Sequence, residues 1–166
     1  MKGELRVAIV TVSDRSARGE REDASGPALA AAVEAAGGEV LGTEVVEDDA
    51  DRIAAVLRRL ADEEGTPLVL TTGGTGFGPR DVTPEATRTV IQREAPGLAE
   101  YARAATVSRT RFAILSRGVA GIRGATLIVN LPGSPKGARE TFEALAPVLP
   151  HALSVLARGG DEHPVS

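Results

Sequence analysis

The run Leu68-Val-Leu-Thr-Thr-Gly-Gly-Thr-Gly-Phe-Gly-Pro-Arg-Asp-Val-Thr-Pro-Glu85 decides the fold. Its apolar opening, Leu68 to Leu70, reads as a strand buried on both faces, and Thr83-Pro84-Glu85 reads as a helix start. Between them, glycine at 73, 74, 76 and 78 permits positive φ and lets a ligand approach without meeting a Cβ. The N–H groups of such a loop can turn inward around an anion, and phosphate is the guest that suits it. Arg80 adds a planar donor fork, and Asp81 adds a carboxylate that can hold magnesium against phosphate oxygens. Read without a ligand, the same stretch is a glycine-rich turn with Arg80 and Asp81 paired on the surface. Two familiar phosphate motifs are excluded by spacing. A P-loop needs Lys-Ser or Lys-Thr where Pro79-Arg80 stands, and a GxGxxG frame begun at Gly74 meets proline at 79.

Outward from this loop the chain alternates strand and helix. Leu5 to Val12 is β-branched and apolar, as in the middle of a parallel sheet, and it empties into Ser13-Asp14-Arg15. Ligands in open α/β sheets lie beyond the carboxyl ends of strands, which brings Thr11, Ser13 and Asp14 into consideration. A turn that satisfies its own backbone accounts for Ser13 and Asp14 equally well. A helix is expected from about Gly26 to Ala36, capped by Ser25 and stopped by Gly37-Gly38. A second strand, Glu39 to Val46, opens into Glu47-Asp48-Asp49-Ala50-Asp51 before a helix from Arg52 to Glu64. Asp49 or Asp51 is expected to cap that helix, leaving Asp48 at the strand end as the functional candidate.

Beyond the central loop, a helix is expected from Pro84 to Glu94, interrupted near Pro96-Gly97 and resumed to about Val107. Arg123-Gly124, between two apolar runs, predicts a hairpin and hence an antiparallel member of the sheet. Leu127 to Asn130 then repeats the central logic: a buried strand, a Pro132-Gly133 turn, and a helix opening at Ser134 or Pro135. Lys136 in the first turn opposes the helix dipole, so an anion there would explain it. Asn130 at the strand end is either a ligand contact or an amide satisfying backbone at the turn. Helices from Lys136 to Leu145 and Val148 to Arg158 and a tail at Asp161 to Ser166 complete the reading. The expected fold is a three-layer α/β/α sandwich over residues 1–166, with a mostly parallel sheet carrying an antiparallel hairpin or edge strand.

Composition narrows the function. The chain has 166 residues, 42% of them hydrophobic and 25% charged, enough for one domain with a real core. It has no cysteine and two histidines, so a catalytic metal would be oxygen-bound. A net charge of −4 with no Trp argues against nucleic acid. No apolar run approaches the ~18 residues of a membrane span, and no signal-peptide layout precedes the first strand, which points to the cytoplasm.

Thr72 to Glu85, with Thr11-Val-Ser-Asp14, Ile114-Leu-Ser-Arg117 and Asn130-Leu-Pro-Gly-Ser-Pro-Lys-Gly137, closely resembles the molybdopterin adenylyltransferase family. This is the MogA/MoaB group, also seen as a domain of gephyrin, and the intact Arg80 to Glu85 segment is more like the MogA branch. The resemblance implies a three-layer α/β/α enzyme of molybdenum cofactor biosynthesis that transfers the adenylyl group of Mg-ATP to molybdopterin and releases pyrophosphate. It implies that Asp48 and Asp81 are catalytic and bind Mg2+. It further implies substrate contacts at Thr11, Ser13, Ser116 and Asn130, with Gly73, Gly74, Thr75, Gly76, Pro132 and Gly133 lining the pocket. Asp14, Arg80, Arg117, Ser134 and Lys136 complete the expected substrate-binding set. A homo-oligomer, a trimer rather than a hexamer, and hand-over to a molybdenum insertase are also implied. Glu47 departs from the proline common in relatives, which leaves open which carboxylate of Glu47-Asp48-Asp49 acts. A carrier that binds molybdopterin without catalysis, or a scaffold acting through its oligomer surface, are the alternatives.

Overall fold

In the computed structural model, residues 4–159 are described; the expected tail lies outside them. Strand β1 (Arg6–Val12) leads through a short helix α1 (Asp14–Ala17) to helix α2 (Ser25–Ala35) and strand β2 (Glu39–Val46). Helix α3 (Ala50–Arg58) continues as a π-helical turn, Arg59–Glu63, before the central strand β3 (Leu68–Thr72). Helix α4 (Thr83–Val90), a two-residue strand β4 (Arg93–Glu94) and helix α5 (Pro96–Thr106) follow. A 3-10 turn at Arg111–Leu115 precedes the hairpin of β5 (Ala120–Arg123) and β6 (Thr126–Leu131), and α6 (Pro135–Leu145) and α7 (Leu149–Ala157) close the fold.

The sheet runs β2-β1-β3-β6-β5-β4. The first four strands are parallel, β5 runs antiparallel to β6, and β4 runs antiparallel to β5. Alternation along the strands builds the three layers. Val7, Ile9, Leu68, Leu70, Leu127 and Val129 face α2, α5, α6 and α7 around fully buried Phe142. Ala8, Val10, Val69 and Ile128 face the other way, onto Ile53 and Leu57 of α3 and Ala86 and Val90 of α4. A buried Leu or Ile contributes roughly 1.5–3 kcal/mol. The central strands are therefore the rigid base from which the loops project.

Helix α3 begins at Ala50, ahead of the expected Arg52, and one helix end and one cap also differ from expectation. The helix expected to reach Glu94 stops at Val90, because Ile91 turns extended (φ −68°, ψ 145°) and the following backbone pairs with β5. Gln92 N–H donates to Ile122 O at 2.8 Å and Ala95 N–H to Ala120 O at 2.9 Å, so sheet pairing overrides helical pattern. At α2 the capping oxygen belongs to Asp23, whose Oδ1 accepts from Gly26 N–H at 3.0 Å. Ser25, expected in that role, instead donates its hydroxyl to Gly133 O and ties α2 to the loop before α6.

Candidate active site

The carboxyl ends of β1, β2, β3 and β6 converge, and the β3 loop lies at their centre. Its carbonyl groups are held from below. Thr83 Oγ1 donates to Gly73 O at 2.9 Å, Thr83 N–H to Gly74 O at 3.1 Å, and Arg117 N–H to Thr75 O at 2.9 Å. Arg117 Nε adds a bond to Gly76 O at 2.8 Å. With the acceptors spent, the amides of Gly74, Thr75, Gly76 and Phe77 donate to no group among the described residues. Oriented, unpaired N–H groups are the donor set that an anion requires. Gly73 and Gly74 hold φ at +104° and +68°, a region closed to most side chains.

Two cavities meet on this loop. The first, about 410 Å³, is walled by Thr75, Gly76, Thr110, Phe112, Ser116, Glu140 and Thr141. The second, about 370 Å³, is walled by Thr11, Ser13, Ser16, Asp23, Asp48, Thr72 and Gly73. Gly74, Asp81, Gly133 and Ser134 belong to both. A ligand in either cavity therefore reaches the same floor.

The acidic groups are arranged by backbone bonds. Asp14 N–H donates to Asp48 Oδ2 at 2.9 Å, and Asp48 N–H to Asp14 Oδ1 at 3.0 Å. Arg80 grips Asp14 with two bonds, Nε to Oδ2 at 2.9 Å and Nη2 to Oδ1 at 3.0 Å. These bonds from Arg80 pull the Asp14 carboxyl below its ordinary value against the opposing effect of burial. Burial pushes Asp48 the other way, upward, helped by the charges of Asp14 and Asp81 and opposed by the Asp14 amide. Asp81 Oδ2 accepts from Gly78 N–H at 2.9 Å.

A family profile described as "Probable molybdopterin binding domain" matches residues 8–151. The chain belongs to this family. A molybdopterin adenylyltransferase of Helicobacter pylori (strain J99) is 40% identical over 162 residues, covering 92% of this chain and 88% of that protein. The molybdenum cofactor synthesis protein cinnamon of Drosophila melanogaster is 43% identical over 154 residues; the match spans 92% of this chain but only 26% of that protein. Among solved structures, the molybdopterin biosynthesis enzyme MoaB of Thermus thermophilus is 56% identical with a TM-score of 0.87, covering 92% of this chain and 96% of that one. The three-layer fold with its antiparallel edge is thus the fold of the molybdopterin-binding family.

Within that family fold, most of the residues singled out by sequence come together, though not all face open space. Thr11, Ser13, Asp48 and Asp81 line the second cavity, and Ser116 lines the first. Ser13 Oγ also accepts from Ser16 N–H at 3.2 Å, capping α1. Asp49, as expected, caps α3 by accepting from Arg52 N–H at 2.9 Å. Arg80 pairs with Asp14 instead of Asp81. Arg117 is turned onto the protein itself, bonding Gly76 O, Asp81 O at 2.7 Å and the Glu85 carboxylate, whose pKa it lowers. Asn130 is buried with both amide hydrogens spent on Thr71 Oγ1 and Thr87 Oγ1, each at 3.0 Å, while its Oδ1 accepts from Val119 N–H at 3.1 Å. Lys136 is 75% exposed and lies 4.0 Å from Glu140, off both cavity walls.

Sequence reading missed Asp23, Thr83 and Glu140. Asp23 Oδ2 accepts from Thr11 Oγ1 at 2.9 Å, fixing that hydroxyl at the second cavity. Thr83 was legible as a helix start, but its grip on the glycine loop was not. Glu140 reads in sequence as one more charge on an amphipathic helix.

Proposed function

We propose that this chain is a molybdopterin adenylyltransferase acting in molybdenum cofactor biosynthesis. The observation that carries the reading is the pair of cavities that share Gly74, with its unpaired amide, together with Gly133, Ser134 and Asp81, while Asp48 lines one of them. A single-substrate hydrolase needs one cavity; joining two phosphorylated molecules needs two that open onto each other. In the reaction, an oxygen of the molybdopterin phosphate forms a bond to the α-phosphorus of ATP. The bond from that phosphorus to the bridging oxygen breaks, and pyrophosphate leaves with the electron pair.

The chain supplies position and charge. The amides of Gly74, Thr75 and Gly76 hold phosphate oxygens without reorganisation, and the α6 N-terminus at Ser134 adds positive potential beside them. No protein nucleophile is required. The residues also fit a magnesium ion. Asp48 Oδ2 and Asp81 Oδ2 are held by amides, and the other oxygen of each carboxylate accepts no hydrogen bond among the described residues. No group of three or more His, Cys, Asp or Glu able to hold a metal is present among those residues. Two carboxylates completed by substrate phosphates and water is the mode magnesium adopts, in contrast to an all-protein cage. When bound, the ion would offset the repulsion between two polyanions.

Homotrimeric assembly, a cytoplasmic location, a single domain over 1–166 and hand-over of adenylyl-molybdopterin to an insertase belong to the same proposal. Exposed Phe112 and Ile114 (69% and 66%) support the assembly, and no described helix is long and apolar enough to cross a membrane. Turnover of ATP and molybdopterin by the purified chain in the presence of magnesium tests the reading. Pyrophosphate release that requires molybdopterin supports it. Tight molybdopterin binding without release would make the chain a carrier, the reading that its likeness to a structure named MoaB keeps in contention.

A further inference from the structure

Asp48 and Asp81, the two carboxylates that fit magnesium, come from strands that are not neighbours. Asp48 follows β2 and Asp81 closes the β3 loop, while β1 runs between those strands in the sheet. Asp14 stands at the end of β1 and is bonded on both sides. Toward β2, its amide donates to Asp48 Oδ2 at 2.9 Å and its Oδ1 accepts from Asp48 N–H at 3.0 Å. Toward the β3 loop, it is gripped at two points by Arg80, the residue before Asp81. The bonds from Asp48 through Asp14 to Arg80 therefore bridge one loop to the other across the end of β1.

Neither Asp14 nor Arg80 lines either cavity. Nor does Asp14 join Asp48 and Asp81 as a third ligand, since the described residues hold no group of three carboxylates able to take a metal. The Arg80 side chain is 63% exposed, and an ion pair with an exposed partner adds little to stability. What the pair does determine is where the two loops stand relative to each other. Asp81 Oδ2 is bonded inside its own loop, to Gly78 N–H, a contact that says nothing about the position of Asp48. We propose that Asp14 and Arg80 are positioning residues that together form a strut, setting the separation of Asp48 and Asp81 so that the magnesium site is preformed. The proposal rests on the adenylyltransferase reading for the role of the metal. Magnesium takes its ligands in near-ideal octahedral geometry at about 2.0–2.1 Å, so carboxylates that repel each other must be held at one spacing before the ion arrives. A bidentate arginine suits that task because its planar fork fixes direction as well as distance.

The test is a double-mutant cycle on the full chain: unmodified, Asp14→Asn, Arg80→Ala and the two combined. Affinity for Mn2+, a paramagnetic stand-in for magnesium, is read by electron paramagnetic resonance with and without ATP, and kcat and KM are measured alongside. Asparagine at 14 keeps an oxygen for the Asp48 amide and removes the charge that holds Arg80. Each single variant is expected to weaken Mn2+ binding and lower kcat roughly 10- to 100-fold, the range for residues that orient metal ligands, with KM for both substrates within about twofold. The double variant should be within about twofold of the weaker single one, because both changes remove the same strut. Arg80→Lys, which keeps the charge but not the two-point grip, should recover only part of the loss. Unchanged Mn2+ affinity in the single variants would overturn the proposal, and so would losses that multiply in the double variant. A raised KM with Mn2+ affinity intact would overturn it too, making the two residues substrate contacts. Absence of pyrophosphate release by the unmodified chain would instead remove the adenylyltransferase reading, and the strut would be judged on Mn2+ binding alone. Thermal unfolding of each variant confirms that the measurements are made on folded protein.

Discussion

Asp14 and Asp48 exchange hydrogen bonds across the ends of adjacent strands, the amide of each donating to the carboxylate of the other at 2.9 and 3.0 Å. The pairing fixes two like charges close together, with Asp48 on the wall of the second cavity. Arg80 bonds Asp14 and holds it down, while burial outweighs the weaker pull of the same guanidinium on Asp48, so the two carboxyl groups shift in opposite directions. Asp48 is left as the group whose ionisation costs the fold something.

That cost makes Asp48→Asn informative. A carboxyl raised above its ordinary value of 3.8 contributes stability below that pH and loses it as pH rises through the raised value. At neutral pH the ionised side chain is therefore a burden. An asparagine keeps an oxygen for the Asp14 amide and removes the charge. Asp48→Asn is expected to be at least as stable as the unmodified chain at pH 7, with the advantage disappearing below about pH 4. Adenylyl transfer should fall by roughly a hundredfold or more. Urea midpoints at the two pH values check the first statement, and a midpoint lowered at pH 7 would contradict it.

Asp81→Asn separates binding from chemistry. Its side-chain oxygen can still accept from Gly78 N–H, so the loop should keep its shape. Molybdopterin affinity is expected to stay within a few-fold while turnover drops by about two powers of ten. Near-normal transfer by the purified variant would remove Asp81 from any metal-holding role.

How much of this was legible depends on whether a residue acts locally or through distant partners. The Arg123-Gly124 hairpin and the Asp49 cap were readable because each is set by its own neighbours: turn chemistry, a capping oxygen. Strand β4 was not, since Arg93 and Glu94 follow a helical pattern and pair only because β5 lies alongside. The two arginines show the same limit at the site. Sequence places a cation beside a glycine loop, but it cannot say that Arg80 will fold back 66 residues to Asp14 or that Arg117 will reach 36 residues to Asp81.

Gly74→Ala probes the shape of the floor. Gly74 has φ +68°, and an added Cβ would overlap Thr83 Oγ1 and stand 3.2 Å from Asp48 Oδ1. Thr83 cannot retreat without releasing Gly73 O. The substitution is expected to cost about 2 kcal/mol or more from backbone strain and displacement combined. Denaturant unfolding measures it, and an unchanged midpoint would mean that the loop is softer than its bonding suggests.

Arg117 lies off the second cavity with its guanidinium spanning Gly76 O, Asp81 O and Glu85, so its effect on the reaction is expected to run through the placement of Asp81. Lysine has the charge but one nitrogen, so it cannot hold three acceptors that lie in different directions. Arg117→Lys is expected to lower kcat about 10- to 100-fold with molybdopterin affinity little changed, the loss of hydrogen bonds from a charged donor. Free guanidinium should partly restore Arg117→Ala. Loss of affinity with kcat intact would instead make Arg117 a substrate contact.

Asn130 offers the opposite outcome, a residue whose loss should be felt first in stability. Its amide joins β6 to Thr71 of β3 and Thr87 of α4, and its oxygen takes the Val119 amide, so three elements depend on one side chain. Leucine at this position fills the volume and strands a buried N–H and two hydroxyls. Each unsatisfied buried group costs about 1–3 kcal/mol, and the two hydroxyls lose a donor while keeping their own O–H free to donate elsewhere, so Asn130→Leu is expected to lose about 2–4 kcal/mol in total. Urea unfolding gives the number. If stability were unchanged while molybdopterin binding collapsed, the amide would be serving the ligand, and the bonds to Thr71 and Thr87 would have to open when it binds.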